Sequence, residues 1–332
     1  MNPTTVAESI TIQDFSGRAN GSELAEDVLD GLTRPLKELP PKYFYDSVGA
    51  LLFDDICDLP EYYPTRTEAA ILRRHAAGIV ARTGATELVE LGSGYATKTR
   101  ILLEEMAAAG GLRQYVPIDV TDEVVRGVAS DLVGDYPEMT VHGIIGDFEH
   151  DLEHIPKGDG PRVIAFLGGT LGNFTPGARR RFLRGVGNLL RPEDHLLIGH
   201  DLVKDIATLE AAYNDSAGIT AEFNRNILKV VNQELDADFD PEAFEHVAFF
   251  DRRHEWIEMR LRATREMDIS IRDLDLDIHF DEGEELRTEI SAKFTRERLV
   301  ADLEAAGLVL DELLTDSEDL YGLSLSHAQR VT

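Results

Sequence analysis

The stretch Glu87-Leu88-Val89-Glu90-Leu91-Gly92-Ser93-Gly94-Tyr95-Ala96-Thr97-Lys98-Thr99 decides the fold. It opens with a compact apolar run, turns on two glycines, and leads into a helix expected over Lys98 to Ala109. Two familiar loops of this kind fail at one residue. A dinucleotide fingerprint, G-x-G-x-x-G, needs a third glycine where Thr97 stands. A P-loop finds Gly92 and Lys98-Thr99 correctly spaced, but the glycine before its lysine is again Thr97.

Working outward, short apolar runs recur at Tyr115–Val120, Met139–Ile145, Val163–Leu167 and His195–Ile198. Helical patterns at Glu68–Thr83, Asp122–Val133 and Pro176–Leu190 precede or separate them. Alternating strands and helices predict an α/β fold, a Rossmann-like parallel sheet covered on both faces. Asp119 ends the second run, where a carboxylate can accept both hydroxyls of a ribose. Asp147 ends the third and can accept an adenine amino group, with Phe148 stacking near the base. The E-x-G-x-G pattern at Glu90-Leu91-Gly92-Ser93-Gly94, with these acids on consecutive strand ends, resembles the motif of class I S-adenosylmethionine-dependent methyltransferases. Its glycines let the backbone approach the ligand closely, and an acidic chain favours a sulfonium cation.

The alternation breaks after Val203. Residues 203–232 read as polar helix and 246–292 as β-ribbon. Leu274, Leu276, Ile278 and Phe280 alternate with acids and His279, as in a half-buried strand. Asp281 to Glu284 is expected to turn the chain into a second strand, Glu285–Ala292. A helix from Thr295 to Ala306 and strands at Leu308–Leu314 and Tyr321–Ser326 complete the sheet. The expected division is a substrate-binding domain from 21–65 and 203–292, and a methyltransferase domain from 66–202 and 293–332. Residues 1–20 are expected to be disordered.

Composition excludes several classes. With 62 acidic and 33 basic residues the formal net charge is −29. Such a chain repels a phosphate backbone, so nucleic acid is not expected as a partner. The densest basic run, Arg179, Arg180, Arg181 and Arg184, reads as one helix face. The lone Cys57 excludes an internal disulfide and a cysteine metal cluster, and suits a reducing cytoplasm. The first twenty residues lack the pattern of a signal peptide, and no apolar run is long enough to cross a membrane. His150 and His154 have i,i+4 spacing but no third ligand nearby, so no metal is expected. Six of the 24 aromatics fall between Tyr43 and Tyr63, which marks either a core or a pocket wall.

Four stretches carry a closer resemblance: Pro40-Pro41-Lys42-Tyr43-Phe44-Tyr45-Asp46, Leu59 to Glu68, Phe166-Leu167-Gly168-Gly169-Thr170-Leu171-Gly172-Asn173, and Thr288-Glu289-Ile290-Ser291-Ala292-Lys293-Phe294. From about Leu36 onward the chain resembles the histidine-specific Nα-methyltransferases of ergothioneine biosynthesis. The resemblance implies S-adenosylmethionine as co-substrate, contacted by Gly92, Lys98, Asp119, Asp147 and Phe148. It implies that Tyr62, Asn173 and Tyr213 hold the α-carboxylate and backbone end of L-histidine. Glu289 and Ser291, helped by Tyr45, would read the imidazole, while Phe53, Met259 and Gly168 complete the pocket. Gly169 is expected to vary without consequence. Residue spacing alone leaves Glu289 and Ser291 open, because Glu285, Arg287 and Lys293 share their parity, as on a solvated strand face. The implied reaction is trimethylation of L-histidine to hercynine by a monomer, with no general base identified by the sequence. The alternatives are an N-methyltransferase for another amino acid, such as a tryptophan derivative, and a non-catalytic S-adenosylmethionine-binding regulatory module.

Overall fold

The structure is a computed structural model and describes residues 9–15 and 22–329. In chain order the strands are β1 (Ile10–Asp14), β2 (Lys37–Glu38), β3 (Glu87–Leu91), β4 (Gln114–Asp119), β5 (Thr140–Ile145), β6 (Arg162–Phe166) and β7 (His195–Asp201). They continue with β8 (Phe244–Asp251), β9 (Trp256–Ala263), β10 (Met267–Ile271), β11 (Leu276–Phe280), β12 (Glu285–Ala292), β13 (Leu308–Thr315) and β14 (Tyr321–Ala328). The helices are α1 (Ser22–Leu32), α2 (Ser47–Asp58), α3 (Pro64–Thr83), α4 (Thr99–Ala108), α5 (Asp122–Asp135), α6 (Pro176–Leu189), α7 (Ile206–Tyr213), α8 (Ile219–Leu235) and α9 (Arg296–Ala305).

The chain divides into two compact units. The first comprises Thr67–Leu202 and the described parts of Phe294–Thr332 and Met1–Arg18. The second comprises Val203–Lys293 and the described part of Ala19–Arg66.

The first unit is built on a sheet of order β1-β5-β4-β3-β6-β7-β14-β13. Its neighbours run parallel except around β14, which is antiparallel to β7 and β13. Every residue of β3 and β6 is buried, as a sheet covered on both faces requires. Leu88, Tyr115, Val141, Val163 and Leu325 share one core with Leu102 and Leu103 of α4 and Ala129 and Leu132 of α5. Strand order reverses between β3 and β6, which opens a crevice at the carboxyl ends of these strands. The glycine turn after β3 lies there.

One expectation is corrected. Disorder over 1–20 is wrong for Ile10–Asp14, which pairs with β5 from Ile10↔Val141 to Asp14↔Ile145; residues 1–8 and 16–21 lie outside the described residues. Alternating Ile10 and Ile12 pack on the core, a pattern too short to recognise without the edge it completes. The expected turn at 281–284 forms, with Gly283 at φ +83°, and leads into β12 over the expected Glu285–Ala292. β11 pairs with β10 alone, whereas β12 lies in the second unit's sheet, β2-β12-β9-β8.

One irregularity of that second sheet sets which way the side chains of β12 face. β12 pairs with β9 as Arg287↔Arg260 and then Glu289↔Met259, so Thr288 is the extra residue of a β-bulge. A one-residue insertion exchanges the faces that follow it. Before the bulge, Glu285 and Arg287 share a charged face with Arg260 and Arg262, on which Glu285 ion-pairs with both arginines. After it, Glu289 lies opposite Met259 and Ser291 opposite Ile257, both core residues. The bulge is held by Thr288, whose hydroxyl reaches Asn224 Oδ1 (2.6 Å) and the Met259 carbonyl (3.1 Å).

Candidate active site

The residues assigned from sequence fall into two clusters. Gly92, Lys98, Asp119, Asp147 and Phe148, with Gly168 and Asn173, belong to the first unit. Tyr45, Phe53, Tyr62, Tyr213, Met259, Glu289 and Ser291 belong to the second.

In the first cluster the turn after β3 bends back through Gly92 (φ +69°) and Gly94 (φ +47°), conformations that favour glycine. The Gly92 and Ser93 amides donate to the Ile118 carbonyl at 2.8 and 3.1 Å. Asp119 grips the same turn: Oδ2 accepts from Gly94 N–H (2.9 Å) and Oδ1 from Thr121 N–H (3.0 Å). Lone pairs remain on this carboxylate for a diol. Asp147 Oδ1 accepts from Glu149 N–H (2.7 Å). The Phe148 ring stands edge-on to Phe166 and Phe182 and only 3.4 Å from where a Cβ on Gly92 would lie. A side chain at Gly92 would press into that space, so glycine keeps it open. This fits a flat nucleoside between a glycine backbone and an aromatic ring, flanked by two acids.

Two carboxylates under the turn carry no role in the sequence reading. Glu90 is buried and accepts from Tyr115 (2.5 Å) and from Thr99 of α4; burial pushes its carboxyl up to about 7. Glu68, fully buried in the first turns of α3, ion-pairs with Lys98 and accepts from Tyr321 Oη (3.0 Å) and Gly168 N–H (3.0 Å). Lys98 is thus anchored from below, 3.7 Å from where a Cβ on Gly168 would lie. Gly169 is constrained rather than free: its φ is +76°, and a Cβ there would stand 3.3 Å from Tyr321 Oη. Asn173 closes the short helical turn that follows, Thr170–Asn173. His150 leans on Asp147 (3.4 Å), while His154 stacks on Phe15, so the two serve separate contacts.

In the second unit the aromatics of 43–63 divide by role. Phe44 is core, Tyr43 Oη donates to Asp27 (2.7 Å), and Tyr63 Oη accepts from Lys204 (2.6 Å). Tyr45, Phe53 and Tyr62 instead form a run of ring contacts with centroid separations of 5.5 Å (Tyr45–Phe53), 6.1 Å (Phe53–Tyr62) and 6.3 Å (Tyr62–Tyr213). Phe223 of α8 packs beside Tyr45 and Phe53 and was missed, because an apolar residue at helical spacing reads as ordinary core. Tyr213 Oη lies 2.8 Å from Ser291 Oγ. Burial, with Tyr213, Cys57, Tyr45 and Glu289 nearby, pushes the Tyr62 phenol well above its usual range and keeps it a neutral donor. His246 fixes Tyr213 from behind through its backbone carbonyl (2.9 Å), and Asn224 links His246 to Thr288 at the bulge. The arrangement is an aromatic wall ending in a hydroxyl pair, with the Glu289 carboxylate half-buried two residues from Ser291.

Lys293 corrects the parity argument. It is fully buried, not solvated, and its ammonium bonds both Tyr213 Oη and Ser291 Oγ at 2.9 Å.

A parallel sheet that reverses at a glycine turn, with its last strand inserted antiparallel, is the fold of a class I S-adenosylmethionine-dependent methyltransferase. Within that class the profile of the histidine-specific, S-adenosylmethionine-dependent methyltransferases matches residues 24–328, and the chain belongs to this family. It is 50% identical over 303 residues to the histidine N-alpha-methyltransferase of Mycolicibacterium smegmatis, covering 91% of this chain and 94% of that one. Against the enzyme of the same name from Mycobacterium tuberculosis the identity is 48%, with the same coverage. Ergothioneine biosynthesis protein 1 of Neurospora crassa is 34% identical over 203 residues, 59% of this chain and 23% of its own. Among the described residues no helix is long and apolar enough to cross a membrane.

Proposed function

We propose that this chain transfers three methyl groups in succession from S-adenosylmethionine to the α-amino nitrogen of L-histidine, giving hercynine in the first step of ergothioneine biosynthesis. The observation that supports it most directly is the bulge at Thr288, which turns Glu289 and Ser291 off the charged face and beside Met259. A carboxylate and a hydroxyl side by side match the two nitrogens of an imidazole.

In this reading Gly92, Lys98, Asp119, Asp147 and Phe148 hold S-adenosylmethionine, which supplies an electrophilic methyl on a sulfonium. Tyr62, Asn173 and Tyr213 hold the carboxylate and backbone end of histidine. Glu289, Ser291 and Tyr45 take the ring, within a pocket shaped by Phe53, Met259 and Gly168. The amine must be neutral to attack, and its ordinary pKa of about 8 falls beside a cation. What remains for the chain is mostly in-line alignment. Tyr62, held neutral, donates rather than accepts a proton at rest. Tyrosine faces stabilise the nitrogen as it becomes quaternary. The protein acts as a cytoplasmic monomer and needs neither metal nor nucleic acid.

The test is mass spectrometry of purified protein with S-adenosylmethionine and all free proteinogenic amino acids. Histidine alone gaining three methyl groups is expected. Accumulation of a singly methylated product would overturn the succession. Methylation of another amino acid would discard the imidazole reading, and no product despite cofactor binding would leave a non-catalytic module.

A further inference from the structure

Glu68 places a carboxylate in a fully buried position under the glycine turn, and the reaction outlined above gives it no task. It ion-pairs with Lys98, whose side chain is 21% exposed. Both of its oxygens lie 3.0 Å from the Gly168 amide, and Oε1 accepts from Tyr321 Oη at 3.0 Å. Gly199 of β7 leaves room for it, because a Cβ there would collide with Oε1. The fold thus builds a place for one carboxylate behind the ammonium that the cofactor reading uses.

That ammonium faces two demands. Asp119 and Asp147 stand at the ends of β4 and β5, on one side of β3, whereas Lys98 stands by Gly168 after β6, on the other. Neighbouring strands are about 4.8 Å apart, so the crevice from β5 to β6 spans about 14 Å. S-adenosylmethionine laid along it puts its nucleoside over the acids and its amino-acid end at Lys98. There the carboxylate, the anionic group of the ligand, meets a cation. The sulfonium joins the two ends and so lies between them. An uncancelled Lys98 would hold the carboxylate but repel the sulfonium, since like charges act over several ångströms in a partly dry site. Methyl transfer returns the S–CH3 electron pair to sulfur and leaves S-adenosylhomocysteine, a neutral thioether that feels no such repulsion. A bare lysine would therefore favour the product over the co-substrate.

We propose that Glu68 is a positioning residue that holds Lys98 in place and cancels its charge toward the sulfonium, raising the preference of the site for S-adenosylmethionine over S-adenosylhomocysteine. This rests on the cofactor reading given above. Glu90 faces the same pair from under the turn: Lys98 and Glu68 both act on its carboxyl, which burial pushes up to about 7. It is left intact in the variants below, and a proton that it gains or loses in response reduces a shift without reversing it. Asp119 and Asp147, also left intact, attract the sulfonium in every variant.

The test measures dissociation constants of both ligands by calorimetric titration, at a single pH and without an acceptor amino acid. The preference is the constant for S-adenosylhomocysteine divided by that for S-adenosylmethionine. Nucleoside, ammonium and carboxylate are common to both ligands and drop out of it. For Glu68→Gln the preference is expected to fall about 4- to 15-fold, the effect of one charge roughly 10 Å away at an effective dielectric of about 20–40. Glutamine keeps the shape, its carbonyl still accepts from Gly168, and Lys98 reaches water, so the substitution strands no buried charge. In the double variant Glu68→Gln/Lys98→Met the charges leave together, and the preference is expected within about twofold of wild type while both affinities drop. A merely structural glutamate would weaken both ligands alike and leave the preference unmoved. An unmoved preference in Glu68→Gln overturns the proposal. So does a double variant with a preference as low as that of Glu68→Gln, because the effect would then not pass through Lys98. Should Glu68→Gln not fold, Lys98→Met takes its place: its preference is expected at or above wild type, and a fall below wild type overturns the proposal. Binding of neither ligand by the wild type would instead remove the cofactor reading itself.

Discussion

In the proposed reading, substrate choice turns on Glu289. Its neighbours on β12 form ion pairs on the opposite face, whereas Glu289 faces Met259 in register. A hydrogen bond to a charged group contributes about 1.5–3 kcal/mol. Glu289→Ala is therefore expected to lower kcat/KM for histidine about 10- to 150-fold, mostly through KM, with affinity for S-adenosylmethionine unchanged. Steady-state kinetics at saturating co-substrate check this; a loss confined to kcat would assign Glu289 to the chemical step instead. Glu289 was named from its motif, but Lys293, four residues on, was dismissed on parity. Its burial depends on Tyr213, 80 positions away in the chain, and no local pattern contains that.

At the scale of elements, the bulge in β12 decides which side chains share a face with Met259. Period-2 reading places Glu285, Arg287, Glu289 and Ser291 on one face, and a single inserted residue separates the first two from the last two. Thr288→Val removes the hydroxyl that holds the bulge, and continuous pairing with position 288 opposite Met259 would swing Glu289 and Ser291 toward the arginines. The expected result is loss of histidine turnover by about three orders of magnitude or more, since both ring contacts and the Asn224 link go together. S-adenosylmethionine binding, assigned to the other unit, is expected to stay within a few-fold, and calorimetric titration separates the two. Retained turnover would mean that the bulge is incidental. The strand–turn–helix at 87–108 is a contrasting case: its glycines, apolar run and helix are contiguous, so its shape was legible directly.

For the whole molecule, acidity acts through buried groups as well as through net charge. His200 on β7 is fully buried, neither ring nitrogen has a hydrogen-bond partner among the described residues, and burial pushes its pKa from 6.5 to about 4. Its folded pKa is depressed, so the unfolded chain binds the extra proton first. The stability it leaves intact above about pH 6.5 is lost as pH falls toward about 4. Urea unfolding of wild type and His200→Leu at about pH 7.5 and about pH 5 isolates this from changes in overall charge. The difference is expected to shift in favour of the variant by about 2 kcal/mol at the lower pH. A pH-independent difference would mean that a proton reaches His200 without opening the fold.

The sequence by itself determined the class of fold, the glycine turn with its two acids, and the family, and it named the candidate site residues. These follow from short contiguous patterns: apolar runs, glycine spacing, and carboxylates at strand ends. Tertiary structure decided the rest. It placed β12 beside β9 rather than β11, joined Ile10–Asp14 to the sheet, buried Glu68 under Lys98, and brought Lys293 to Tyr213. Each of these is a pairing between residues far apart in the chain. Burial and strand register depend on what lies opposite, and a sequence pattern records only what lies alongside.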